Sequence, residues 1–574
     1  MNSIKKLLEI LPKKTKSKLY IFIILLLISS FFELISISAL IPIAEIIITG
    51  NTSFEFANDL LVNYENKYTK NQIIITILIF VIILFFLKTL YLILFSYWTN
   101  KFSQNIYKTF SEKTLEKYFS ENYLFFINNK SSDLIRNIIL ETKNVSALTF
   151  CYLKIVVELF IFFSIGVFIL IIDFKTSISL IFFFLFFTIF YYTFTKKLIF
   201  NYGLIRQGST AKLLKNLQEI FGSIKDIKLK RSENFFKNFF SEYLKMFVKA
   251  AYKSNTFNEA PRFLIELCFL IILTIIITLN ISDTDGINSI LPLLVVYSAA
   301  GLRLLPGFVK LNSYLQSIES YKPSLNLIYK ELKSQNVELN IKHKKYDLND
   351  DFNLGDITFQ NINFSFGKKK IFEDLNLIIK KNSILGISGD SGSGKSTLIN
   401  ILLGLLKLDK GKLLIDNLDI EDSLDQWQKS IGYVSQNIFL LDTTLKENIA
   451  FGIPLEKINY DELNRVIEYA NLTDFVQNLS NGLDTNIGEK GSKISGGQIQ
   501  RIAIARELYQ KPSVLILDEA TTGLDKKTEI QIFKSIEKLK SKITIIIVSH
   551  NQDTLKVCDE IFDLNELKKK KDNK

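Results

Sequence analysis

Cysteine is nearly absent from this chain, with three in 574 residues at positions 151, 268 and 558. No disulfide framework can be built from them, so the fold does not rely on an oxidising compartment. Eight prolines and 24 glycines exclude collagen-like and proline-rich architectures. Histidine is scarcer still, with two, His343 and His550. What the chain has in excess is apolar side chains. They make up 48% of the residues and include 48 phenylalanines, which excludes a disordered chain. The mean hydropathy of +0.21 points to long stretches in lipid. Lys and Arg total 70 against 58 Asp and Glu, a net charge of +12. Such a balance suits nucleic acid or the Lys-rich cytoplasmic loops of a membrane protein, and the placement of apolar residues decides for the membrane.

Apolar runs occupy Leu19 to Ile48 and about 72–98, 148–172, 176–195, 261–281 and 287–309. Each reaches or approaches the roughly 20 residues a helix needs to cross the hydrocarbon core. Six spans are therefore predicted before residue 320 and none after it. The runs are too long and unbroken for barrel strands. The first run follows Lys5, Lys6, Lys13, Lys14, Lys16 and Lys18, as in a signal peptide. It is about twice the length of a signal core, so an uncleaved helix is predicted.

Basic residues give an orientation. The segment 99–147 carries seven, among them Lys101 and Arg136, and 196–260 is richer still, whereas Ile281 to Gly286 has none. The positive-inside tendency then puts both termini and both long basic segments in the cytoplasm. Helical apolar spacing in these segments predicts extensions of the membrane helices. Turn-prone stretches at 128–133 and 222–225 predict short helices at their tips. The first domain is expected over 1–325 and a polar linker containing His343 over 326–349. An α/β domain of alternating strands and helices is expected over 350–567, and a Lys-rich tail over 568–574, solvated rather than bound to nucleic acid.

In the second half a short apolar strand, Ser383 to Ser388, runs into Gly389-Asp390-Ser391-Gly392-Ser393-Gly394-Lys395-Ser396-Thr397, and a helical pattern follows. That order is what a phosphate-binding loop requires. Glycines let backbone N–H groups turn inward, the helix N-terminus adds its dipole, Lys395 reaches the β and γ phosphates, and Ser396 ligates Mg²⁺. A second strand, Val514 to Leu517, ends in Asp518 and Glu519. Asp518 suits a Mg²⁺ ligand and Glu519 a group that orients and polarises the attacking water.

Ile494-Ser495-Gly496-Gly497-Gln498 resembles the signature motif of the ATP-binding-cassette family, whose usual first residue is Leu. Gln436 matches that family's Q-loop, Thr522-Gly523-Leu524-Asp525 its D-loop, and His550 its switch histidine. Phe366 stands where the family places an adenine-stacking aromatic, and Gly488-Glu489-Lys490-Gly491 resembles a loop typical of exporters. The resemblance implies an all-α six-helix transmembrane domain followed by an α/β P-loop cassette. It also implies ATP and Mg²⁺ as cofactors, with Gln436 beside Ser396 and Asp518 at the metal. Two cassettes meet head to tail in this family, with Ser495, Gly496, Gly497 and Gln498 closing on the partner's ATP. A dimer is therefore implied, and the intact motifs favour a homodimer in a bacterial inner membrane.

Charged residues inside the spans are functional candidates. They are Glu33, Glu45, Lys88, Lys154, Glu158, Arg262, Glu266 and Arg303. Lys154 with Glu158, and Arg262 with Glu266, stand four apart and can pair on one helix face. Lys88, Arg262 and Arg303 are expected in the inner-leaflet half, either snorkelling to the interface or lining a cavity for a phosphate-bearing headgroup. Phe32 to Ser36 with Pro42, Lys88, Pro261-Arg262 and Leu302 to Pro306 resemble bacterial lipid-linked oligosaccharide flippases, in which Arg tends to stand at the place of Lys88. This implies a polyprenyl-pyrophosphate glycan as cargo. Exporters of lipid A-type lipids or apolar drugs share the architecture, and an ATP-regulated channel or sensor is a more distant reading.

Overall fold

The computed structural model describes residues 3–38, 70–172, 174–280, 286–333, 355–520, 526–537, 539 and 542–566. These fall into two units, a helical one of Met1–Glu121 and Phe125–Val337, and a second of Glu338–Lys574 together with Asn122–Leu124. The D-loop residues 522–525, Pro42, Glu45, His343 and the tail 568–574 lie outside the described residues, as do the side chains of Glu33 and Arg303.

The helical unit starts with α1 (Ser3–Ile10) and α2 (Lys13–Ser38). The long α3 (Lys70–Phe119) follows, then two short helices, α4 (Tyr123–Asn128) and α5 (Ser131–Arg136). A π-helical turn over Asn137–Glu141 leads into α6 (Thr142–Ile172). Next come α7 (Phe174–Gly222), the short α8 (Ile224–Leu229), α9 (Glu233–Asn280) and α10 (Gly286–Lys333). Among the described residues three helical stretches are long and apolar enough to cross a membrane, Leu78–Phe119, Ser131–Ile171 and Ser177–Gly222. The short helices stand where the sequence turns at 128–133 and 222–225.

The core of this unit joins α2, α3, α6 and α10. Phe22, Leu26, Phe95, Ile106, Phe110, Leu148 and Ile165 are buried together with Leu325 and Ile328. The burial of Leu325 and Ile328, and an ion pair from Lys333 to Glu9 at 2.7 Å, explain why α10 runs on to Lys333, past the domain end expected at 325. The outward faces are apolar as well; Ile82 is 67% exposed and Phe163 72%, which only lipid makes tolerable for so many side chains. Pro261 sits inside α9 and has no N–H to give the carbonyl of Phe257. The Tyr191 hydroxyl of α7 donates to that carbonyl at 2.8 Å, so the helix keeps its course.

The second unit has two sheets. β1 (Ile357–Phe366), β2 (Lys369–Ile379), β4 (Lys410–Ile415) and β5 (Leu418–Asp419) form an antiparallel sheet in the order β2-β1-β4-β5. β3 (Ile384–Ser388), β6 (Ile431–Val434), β7 (Val514–Asp518), β8 (Thr544–Val548) and β9 (Glu560–Asp563) form a parallel sheet in the order β6-β7-β8-β3-β9. The continuous apolar runs of β3, β7 and β8 fit strands covered on both faces. Helix α11 (Lys395–Leu402) leaves β3, and α12 (Leu424–Ser430) buries Trp427 completely, its indole donating to Leu402 O at 2.6 Å. A helical layer of α13 (Leu445–Ile449), α14 (Tyr460–Tyr469), α15 (Thr473–Gln477) and α16 (Gly496–Tyr509) covers the other side. α17 (Lys526–Glu537) and α18 (Gln552–Leu555) complete it.

One half-buried carboxyl gives a stability test. Glu507 on α16 accepts from the backbone N–H of Tyr433 at 3.1 Å. Burial raises its pKa, against the lowering effect of that bond and of Arg506. A carboxyl whose folded pKa is raised weakens folding as pH climbs through that value and costs nothing below the unfolded pKa. Glu507→Gln keeps an acceptor for Tyr433 and loses the charge. It is expected to raise the cassette's melting temperature at pH 8, with the gain fading towards pH 4. An unchanged or lowered melting temperature at pH 8 would show that the carboxylate is a net stabiliser.

Candidate functional site

The carboxyl ends of β3, β7 and β8 converge on one cluster, the usual place for a ligand in an open parallel sheet. β3 delivers the glycine loop. Gly389, Gly392 and Gly394 have φ of 150°, 79° and 110°, a region that side-chain-bearing residues rarely adopt. A Cβ on Gly394 would also meet the Phe372 ring at 3.0 Å. Ser391 and Ser396 are exposed, whereas Ser393 is buried and its Oγ has no hydrogen-bond partner. An orphaned hydroxyl inside a loop of turned-in backbone is what an added acceptor would satisfy.

Lys395 opens α11. Its Nζ donates to Gly389 O at 2.6 Å and Asp390 O at 3.1 Å and lies 3.0 Å from His550 Nε2. Burial lowers its pKa, and Glu519, Asp390 and Asp518 oppose that shift.

β7 delivers Asp518 and Glu519. Burial raises the pKa of Asp518, which accepts from the Tyr433 hydroxyl at 3.1 Å. Glu519 has φ of 49°, a left-handed conformation that a non-glycine residue adopts at a cost of roughly 1–3 kcal/mol. Its backbone N–H is tied to Val548 O at 3.0 Å. That conformation turns the carboxylate to meet two groups from other strands. Gln436, just past β6, donates Nε2 to Glu519 Oε2 at 2.6 Å. His550, just past β8, puts Nε2 at 3.2 Å from Glu519 Oε1. Nε2 accepts from Lys395 when it carries no proton and donates to Glu519 when it does, so the tautomer decides which contact is a bond. Lys395, Gln436, Glu519 and His550, far apart in sequence, are thus linked through contacts of 2.6 to 3.2 Å, with Asp518 next to Glu519 on the chain.

Phe366 is 41% exposed at the end of β1, and its ring stands perpendicular to that of Phe364 with centroids 4.9 Å apart. Ser495 caps α16 in a reciprocal capping box with Gln498; the Ser495 N–H donates to Gln498 Oε1 at 2.8 Å. Sequence reasoning missed Tyr433 as the partner of Asp518. It also missed Arg506, which donates to Asn448 O at 2.8 Å and Phe439 O at 2.9 Å. Neither residue belongs to a motif; the only signal was their place beside a strand and a signature helix.

Mg²⁺ is implied by this donor set. Among the described residues no group of three or more His, Cys, Asp or Glu is placed to cage a metal. That fits Mg²⁺, which is bound by one or two protein oxygens with the remainder from phosphates and water. Asp518, whose hydrogen bond comes from a neutral phenol, and the exposed Ser396 suit it.

In the helical unit two of the predicted cations have local contacts. Arg262 Nε pairs with Glu266 Oε1 at 3.0 Å, as their spacing predicts. Lys88 Nζ lies over the Phe85 ring at 5.2 Å, and Lys154 Nζ over Phe150 at 5.3 Å and Phe95 at 5.8 Å.

Residues 19–295 match the ABC transporter transmembrane region and residues 372–522 match the ABC transporter domain, together well over half of the chain. The chain belongs to the ABC transporter family, as a transmembrane region followed by an ABC transporter domain. It is similar to the ATP-dependent lipid A-core flippase of Francisella novicida, 39% identical over 208 residues, or 36% of this chain and 35% of that one. The ATP-dependent lipid A-core flippase of Ralstonia nicotianae is 38% identical over 211 residues, 36% of each chain. The chain thus spans about a third of the length of these curated relatives. A solved bacterial Atm1-family ABC exporter with ATP bound shares the fold, with a TM-score of 0.76, 19% identity, and coverage of 95% of this chain and 93% of that one.

Proposed function

We propose that this chain is one half of a dimeric, ATP-driven exporter that moves a lipid with a phosphate-bearing headgroup from the inner to the outer leaflet of a bacterial inner membrane, with both termini in the cytoplasm. The observation that carries the reading is the Glu519 carboxylate, held by Gln436 at 2.6 Å with His550 at 3.2 Å beside the Lys395 ammonium. Gly389 to Thr397 wrap the ATP phosphates and Phe366 stacks on the adenine. Glu519 orients the attacking water, and His550 contacts the γ-phosphate. Ser396, Asp518 and Gln436 hold Mg²⁺, which neutralises charge on the phosphates when bound. Ser495, Gly496, Gly497 and Gln498 close on the ATP of a second copy, the partner that makes the homodimer.

Two headgroups share the chemistry of the cargo. The names of the relatives favour lipid A with its core sugars. The residue pattern of spans one, two, five and six favours a polyprenyl-pyrophosphate oligosaccharide. Lys88, Arg262 and Arg303 are the cations proposed for either phosphate, and Arg262 would have to leave Glu266 to serve.

The test is flipping in proteoliposomes, with each lipid supplied in turn and followed by its accessibility in the outer layer. Protein inserted with its cassettes outward should remove lipid from that layer only with ATP. The two lipids compared side by side identify the headgroup. Healthy ATPase activity with neither lipid moved would sink the lipid cargo and leave apolar drugs as the next candidates.

A further inference from the structure

Resting on the lipid-exporter reading, we infer that α7, α9 and α10 enclose a second binding site, for an anionic sugar of the cargo headgroup. Arg206 is its anion-binding residue and Asn258 its acceptor for a sugar hydroxyl. A cavity of about 80 Å³ lies between these helices, lined by Tyr202, Arg206, Ser254, Asn258, Ser317 and Ser320. At about 10–15 Å³ per water it holds several waters, or one phosphate with the edge of a sugar.

Two polar groups in its wall lack what their chemistry calls for. Arg206 is half-buried, and no carboxylate lies within 4.0 Å of it among the described residues. Its Nη2 donates to Ser320 O at 3.2 Å and its guanidinium stacks on Tyr321 at 5.0 Å, so the fork is held in place with donors to spare. A planar guanidinium fixed in this way suits the bidentate recognition of a phosphate or carboxylate. The second group is Asn258 Oδ1, which is shielded from solvent and has no hydrogen-bond partner. A bare anion would leave that acceptor unmet, whereas a sugar hydroxyl would satisfy it.

The surroundings support an anion. Lys253 lies one turn away on α9, over the Tyr202 ring at 5.9 Å. The nearby Glu319 is engaged by the Tyr192 hydroxyl at 2.5 Å and by Lys322, which offsets its charge. The wall is also closely packed. A Cβ on Gly203 would meet Ser320 O at 2.5 Å, so α7 and α10 touch through backbone beside the cavity.

Position supports a headgroup. The fourth span is expected to end near residue 195, and at 1.5 Å per residue Arg206 stands about 16 Å beyond it. That is below the level of a lipid's own phosphate and within reach of sugars hanging from it. The cavity therefore differs in depth from the Lys88 and Arg303 positions.

The experiment uses full-length protein in phosphatidylcholine nanodiscs and calorimetric titration with a phosphorylated disaccharide, the same disaccharide without phosphate, and inorganic phosphate. The wild type should bind the phosphorylated sugar at least ten-fold tighter than either other probe. Arg206→Gln should abolish the preference for phosphate and Arg206→Lys restore part of it. Asn258→Leu should weaken the phosphorylated sugar several-fold and leave inorganic phosphate unchanged. Melting temperatures within a few degrees of wild type guard against misfolding. Equal binding by wild type and Arg206→Gln, or equal affinity for inorganic phosphate and phosphorylated sugar, would overturn the site. Arg206-dependent binding without any lipid flipping would sink the cargo reading and leave the cavity standing. Flipping without such binding would do the reverse.

Discussion

Glu519→Gln is expected to cut ATP hydrolysis by about 10²–10⁴-fold, the range for loss of a positioned general base, while ATP binding stays within a few-fold of wild type. The argument is geometric. The two carboxylate oxygens of Glu519 face Gln436 and His550, and the backbone is held left-handed by its bond to Val548 O. Glutamine has the same shape and can still accept from Gln436 through its oxygen. It cannot take a proton from water, and its amide does not attract the Lys395 ammonium. Binding depends on Lys395 and the glycine loop, which the change leaves intact. Hydrolysis and equilibrium binding, measured on the same purified full-length protein, separate the two effects. Hydrolysis retained above a tenth of wild type would move the base role to another residue. His550 is the next candidate, because it shares contact with both Lys395 and Glu519.

How much of this was legible before the structure depended on whether the chemistry had a local pattern. The glycine loop was legible because three positive-φ glycines, a lysine and a helix start must be contiguous to wrap a phosphate. The strand ending in Asp518-Glu519 was legible for a similar reason: a buried apolar strand has few places to put two acids. The gathering of Gln436, Glu519, His550 and Lys395 was implied only by the family resemblance, since it depends on the strand order β6-β7-β8-β3, which no local run of residues encodes. Tyr433 illustrates the limit. As the third residue of a four-residue strand it reads as core, and only the pairing of β6 with β7 puts its hydroxyl on Asp518. In the membrane half, helix length was legible from apolar runs, and the Arg262–Glu266 pair from four-residue spacing. The bond from Tyr191 to the carbonyl freed by Pro261 joins residues 66 apart in the Tyr191-to-Phe257 sense and was invisible until α7 lay beside α9. The cavity at Arg206 was hidden in the same way, because its walls come from three helices.

Gly496→Asp is expected to leave the fold untouched and remove at least 99% of ATPase activity. A Cβ built on Gly496 meets nothing within 4 Å, and its backbone is not in the left-handed region, so the chain's own packing gives no reason for glycine there. This contrasts with Gly386, where a Cβ would meet Leu555 at 2.8 Å and Cys558 at 2.9 Å, and where the fold alone demands glycine. A glycine in open space at the first turn of α16 is explained by something that approaches from outside. The proposed visitor is the γ-phosphate of ATP held by a second copy, drawn by the exposed N–H groups and the dipole of the helix. An aspartate puts a negative charge and three heavy atoms beyond Cβ where that phosphate would sit. An acid in the first turn otherwise suits a helix N-terminus, so thermal stability should be equal or slightly higher. The melting temperature and the ATPase rate of the same preparation therefore move independently. Loss of both would mean that Gly496 serves the fold, and loss of neither would remove α16 from the ATP site and with it the head-to-tail dimer.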